Sequence, residues 1–208
     1  MADGTGAGAS LVERAKRIIL EPKAEWDRID AEPMTVGGIF TGWVMILAAI
    51  PVVCSFIGML VFGLGSAFGI TIRPPVSFLI VNAVTTYVFI ISGIFLYGLL
   101  IDALAPTFQG TQNRVQAMKV AAFSATPAFL AGVLGLIPQL FILTFVAALY
   151  GVYLQFLGLP KLMKSPEDKA IPYVVSVIVA GIVIGVIAGV LIGVISNAVT
   201  PAPALLLS

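Results

Sequence analysis

Residues 117–159 read AMKVAAFSATPAFLAGVLGLIPQLFILTFVAALYGVYLQFLGL, and the number of membrane crossings depends on whether they form one helix or two. As a single α-helix, about forty uninterrupted residues would rise about 60 Å at ~1.5 Å each, twice the ~30 Å of bilayer hydrocarbon. A tight helical hairpin at Ile137-Pro138-Gln139 instead gives two crossings of suitable length, residues 117–137 with Pro127 inside and residues 139–159.

Working outward, three more apolar runs are long enough to cross: residues 36–62, broken by Pro51, residues 76–104, and residues 171–199. The fold class expected is therefore all-α, a polytopic integral membrane protein with five transmembrane helices. Composition agrees, because 60% of the 208 residues are hydrophobic and 10% charged, against about 45–50% and about 25% in soluble domains. Charge tests the hairpin independently. Five crossings put Arg14, Lys16, Arg17, Lys23, Arg28, Arg114, Lys119, Lys161, Lys164 and Lys169 on one side and only Arg73 on the other. The positive-inside rule then places the N-terminus in the cytoplasm and the C-terminus outside. A single long helix would move the basic loop at 160–170 to the side of Arg73 and spoil the separation.

Residues 1–9 are expected to be a flexible tail, 10–35 a cytoplasmic amphipathic or interfacial helical segment, 36–199 the five-helix transmembrane domain and 200–208 an external tail. The first long apolar run follows a charged stretch rather than a short basic one, so residues 1–35 are expected to stay in the mature chain. Ser10 with Glu13 is a capping-box pattern. Beyond it Leu11, Val12, Ala15, Ile18 and Ile19 share one helical face, opposite Glu13, Arg14, Lys16 and Arg17. Pro22 suits the first turn of a second short helix carrying Trp26 and Ile29. Arg14, Lys16, Arg17 and Trp26 are the candidate interfacial or partner surface, with Trp26 suited to the aromatic belt.

The chemistry that is missing narrows the function. With no His and one Cys, Cys54, inside an apolar run, no catalytic triad or zinc cluster can be assembled, and no phosphate-binding loop is present. No cofactor, no metal and no enzymatic activity are expected. The net charge of +1 argues against nucleic acid as a partner. Asp102, at the cytoplasmic end of the second run, is expected to pair with Arg114 or Lys119. Together with Asn82, Thr85 and Thr86 it is also the candidate polar pathway. Gly181, Gly185, Gly189 and Gly193 recur every four residues, so one face of the fifth helix is built for close backbone approach. Either another helix of the same bundle or a second copy of the chain would pack there.

Glu21-Pro22-Lys23-Ala24-Glu25-Trp26, Ser124-Ala125-Thr126-Pro127, Ile137-Pro138, Gly158-Leu159-Pro160-Lys161-Leu162-Met163-Lys164 and Pro166-Glu167-Asp168-Lys169-Ala170 together resemble the bacterial branch of the Yip (Ypt-interacting protein) family, over nearly all of residues 11–196. The resemblance implies a cytoplasmic N-terminal segment followed by five membrane helices. Eukaryotic members are linked to Rab-type GTPases and carry a D-L-Y-G-P motif, which this chain lacks. The function expected is a non-enzymatic inner-membrane scaffold or adaptor, in contact with membrane lipids and binding a protein partner, with a homo-oligomer as the candidate alternative use of the glycine face. The alternative is a small permease or channel.

Overall fold

In the computed structural model, which describes residues 10–63, 71–137 and 140–199, the Ser10 hydroxyl accepts a hydrogen bond from the Glu13 amide at 3.2 Å. That cap starts α1 (Leu11–Leu20). Pro22 sits in the first turn of α2 (Pro22–Ala31), where its missing N–H costs nothing. The expected tails, 1–9 and 200–208, and the hairpin apex Pro138-Gln139 lie outside the described residues.

The five expected crossings are present as α3 (Val36–Phe62), α4 (Val76–Leu104), α5 (Arg114–Leu136), α6 (Phe141–Met163) and α7 (Glu167–Val199). Each is long and apolar enough to cross a membrane, and no strand occurs among the described residues. The chain reverses between α5 and α6, with the Leu140 amide bonded to the Ile137 carbonyl at 2.9 Å. The long 117–159 run is thus a helical hairpin and not one helix. Prolines mark local irregularities. α5 is interrupted at Ala125, just before Thr126-Pro127. α3 carries a π-helical turn at Phe40–Val44 that sequence pattern did not signal.

Packing and hydropathy are inverted at the two extremes. α5 is the least apolar of the five, yet 67% of its crossing window is buried, against 0% for α7, the most apolar. Every residue from Ala117 to Ser124 is buried. α5 can occupy the centre because small residues allow close approach: a Cβ on Gly132 would lie 2.6 Å from Pro51 of α3, and one on Gly135 would lie 2.6 Å from the Ser55 hydroxyl. Outward valines and isoleucines of α7, from Ile171 to Val194, are exposed as a lipid-facing surface requires.

α1 and α2 form a second hairpin that stands against α5 and α6. Tyr150 donates its hydroxyl to the Ile19 carbonyl at 2.6 Å, and Lys164 pairs with Asp30 at 2.6 Å. Those anchors, on α6 and at its C-cap, are fourteen residues apart, about 21 Å at ~1.5 Å each. The pair is therefore held upright along one side of the bundle instead of lying flat upon it. Residues 110–111 close the same end, where Thr111 donates its amide to the Met163 carbonyl at 2.7 Å. Arg73 precedes the opposite end of α4, about 43 Å away along that 29-residue helix at ~1.5 Å per residue.

Candidate functional site

The centre of the charged end is Glu25, whose side chain is completely buried. Arg14 lies 3.6 Å from its carboxylate, Arg17 2.8 Å and Arg28 3.1 Å. Arg14 also pairs with Glu32, and Arg17 with Glu13 at 3.0 Å. The hydrogen bond to Glu25 raises the Arg17 pKa above its ordinary value. This arrangement corrects the expected surface. Arg14 and Arg17 turn toward α2 instead of outward, because their carboxylate partner comes from the neighbouring helix. Trp26 is not in an interfacial belt: it is fully buried, edge-on to Phe123 at 6.4 Å between centroids and pressed on Gly158 of α6. Of the four residues, Lys16 alone is exposed. It is flanked one turn away on each side by Val12 and Leu20, 74% and 66% exposed.

Lys119, 2% exposed, was expected near Asp102 and instead points into α2. Its ammonium donates to the Ile29 and Glu32 carbonyls, each at 2.7 Å. Those are carbonyls of the last turn and C-cap of α2, which lack intrahelical partners and attract a cation. Gln116 adds a bond to Asp30 at 3.0 Å. The pairing expected of Asp102 with Arg114 or Lys119 is not among its contacts. Its Oδ1 is buried without a hydrogen bond, and its carbonyl accepts from Gln112 at 3.3 Å.

The candidate polar pathway is not assembled. Asn82 and Thr86 border a small pocket of about 90 Å³ beside Pro51, and Asn82 donates to Ser196 at 3.4 Å. Thr85 does not line that pocket, and Asp102 lies twenty residues, or about 30 Å, along the same helix.

The glycine stripe faces inward. A Cβ on Gly181 would lie 2.5 Å from the Tyr97 ring, whereas a Cβ on Gly185 or Gly189 would meet nothing within 4 Å. Those two glycines, with Gly181, line an open-sided groove of about 560 Å³ between α4, α5, α6 and α7. Gly193, one turn further on, does not line it. Within the groove Tyr97 and Gln155 share hydrogen bonds of 2.8 and 3.0 Å. Ser124, 7% exposed, has a hydroxyl with no hydrogen-bond partner.

The sequence pattern gave Glu25 no site role and Lys119 only a pairing with Asp102. The signal available was a helix, α2, with a carboxylate beside Trp26 on the side that has to be buried. Among the described residues no three His, Cys, Asp or Glu side chains are grouped to hold a metal.

The sequence matches the Yip1 domain over residues 16–194. The chain belongs to the Yip1 domain family. Its Yip1 domain thus takes in the second half of α1 and all of α2 together with nearly the whole five-helix bundle. Among curated proteins it is similar to the inner membrane protein YohC of Escherichia coli strain K12, 28% identical over 160 residues, which cover 76% of this chain and 82% of YohC. The YohC of Escherichia coli O6:H1 is similar to the same extent. No solved structure matches.

Proposed function

We propose that this Yip1-domain protein is a non-enzymatic inner-membrane scaffold or adaptor whose charged end, on the cytoplasmic side, presents α1 to a protein partner. The single observation that carries the reading is the way α1 and α2 are fixed. Glu25, Trp26 and Lys119 lock the pair to the bundle, and Val12, Lys16 and Leu20 are left facing outward on one helical stripe. An apolar pair around a cation, held on a rigid support, suits a partner contact made without an ordering cost. The inner-membrane location is supported by the printed name of the relative YohC, and the cytoplasmic N-terminus by the ten-to-one division of cations.

Deleting the first thirty residues is the wrong test, since it removes Trp26 and Ile29 from the core. The triple substitution Val12→Ser, Lys16→Glu, Leu20→Ser changes only exposed positions. Crosslinking in intact membranes followed by mass spectrometry should show partner crosslinks lost while insertion and expression persist. An unchanged crosslink set would refute the adaptor reading. A small permease or channel is the weaker alternative, because the polar groups Asn82, Thr86 and Asp102 do not share a cavity. Flux of a broad solute panel into proteoliposomes would favour that reading.

A further inference from the structure

The geometry points to the groove between α4, α5, α6 and α7 as a binding site for one phospholipid acyl chain, with the ester end of that chain at Ser124 and Gln155. A volume of about 560 Å³ lies in the ~300–1,000 Å³ range of ligand sites. At roughly 30 Å³ per methylene-sized group, the share a water molecule takes in the liquid, it holds on the order of 18 such groups, the size of one fatty acyl chain. The glycines of α7 create the room, since positions 185 and 189 are open where a side chain would stand.

The second observation concerns polarity. Gln155 is 3% and Ser124 7% exposed, and both line the groove. The Ser124 hydroxyl has no partner. Gln155 spends one edge of its amide on Tyr97 and has further donor and acceptor capacity. A buried polar group left unpaired is costly. An ester carbonyl can accept from Ser124 and from the spare amide hydrogen of Gln155. The remaining walls, Ile182, Ala188 and Ile192 among them, are apolar. The groove is therefore polar toward the charged end of the bundle, since Gln155 lies eight residues before the end of α6, and apolar toward the other. That gradient matches a lipid chain entering from its ester.

A helix from a second copy fits less well. A helix is about 10–12 Å across with its side chains, and an apolar one would cover Ser124 without pairing it. A thin chain reaches the floor of the groove. The outward face of α7, with Val179, Val183, Val186 and Val190 all more than half exposed, is where ordinary bulk lipid packs.

The test uses the full chain in vesicles of phosphatidylethanolamine and phosphatidylglycerol, doped with phosphatidylethanolamine carrying a mid-chain diazirine. After illumination, labelled residues are mapped by peptide mass spectrometry. Labelling concentrated on residues 125–128 and 148–152, above that at Val183 and Val190, is expected. Gly185→Leu with Gly189→Leu fills the groove and should lower the inner labelling about tenfold or more, with Val183 and Val190 labelled as before. Ser124→Ala keeps the shape, removes one hydrogen bond and should lower occupancy about fivefold; this variant also serves if the double substitution fails to fold. Even labelling of all lipid-facing positions, unaffected by Ser124→Ala, would overturn the site. So would a dimer in detergent that dissociates on groove filling while lipid labelling is unchanged, which would assign the groove to a second copy. Loss of partner crosslinks from α1 variants bears only on the adaptor reading and leaves this labelling untouched.

Discussion

Replacing Glu25 by glutamine keeps the volume of a fully buried side chain and removes its charge, so the effect reads electrostatics rather than packing. Three arginines face that carboxylate, at 3.6, 2.8 and 3.1 Å, with side chains 20, 22 and 54% exposed. Breaking a buried ion pair by neutralising one partner costs about 3–5 kcal/mol. Here Arg14 keeps Glu32 and Arg17 keeps Glu13, and water screens the partly exposed guanidinia, which brings the expected cost down to about 2 kcal/mol. The penalty falls on the docking of α1 and α2, because the network joins those helices to each other and stands over Phe123 of α5, 5.7 Å from the Arg14 guanidinium. Amide hydrogen exchange in nanodiscs measures that opening directly. In Glu25→Gln, residues 11–31 should exchange about 30-fold faster, the factor equivalent to ~2 kcal/mol, with α7 unchanged. Protection of residues 11–31 within about threefold of the unmodified protein would refute the claim that Glu25 holds the hairpin.

Gly158→Ala would place a methyl 2.7 Å from the fully buried Trp26 ring; a loss of about 1–3 kcal/mol is expected, seen as red-shifted Trp26 emission in a Trp43→Phe background. Lys119→Met removes both 2.7 Å bonds to the end of α2 and should cost about 2–3 kcal/mol, read as faster tryptic cleavage after Arg28.

The crossings were legible where the chain punctuates itself. Pro75 precedes α4 and Pro106 follows it, and the apolar run between them is the helix observed, residue for residue. The hairpin was legible because length and charge agreed on it. The pairings were not, since a one-dimensional pattern states which face of a helix is apolar and not what that face meets. Arg14 and Arg17 sit at the border of the α1 apolar stripe, and only the presence of Glu25 on α2 turns them inward. Asp102 and Lys119 are near in sequence, but Lys119 projects from α5 toward the unsatisfied carbonyls of α2. For the glycines, spacing revealed the stripe and its need for close approach, yet Gly181 is met by Tyr97 while Gly185 and Gly189 stand open. The π-helical turn at Phe40–Val44 has no residue signature of its own.

The inversion of hydropathy and burial separates two roles that soluble proteins combine. In water the most apolar helix is the most buried, because burial is what removes it from the solvent. In hydrocarbon that drive is absent between helices, and small, closely packed residues decide the centre instead. Ala122 of α5 is 0% exposed, while Val186 of α7 is 61% exposed. Ala122→Leu forces extra carbons into a filled interior and should destabilise by about 1–3 kcal/mol or more. Val186→Ala trades one lipid contact for another and should cost about 0 kcal/mol, although it deletes more apolar surface from the more apolar helix. The midpoint of unfolding by dodecyl sulfate in mixed micelles ranks the two. If Val186→Ala lowered it as far as Ala122→Leu, α7 would be buried against protein in the membrane, and both its outward face and the open groove beside it would have to be reassigned to an interface between chains.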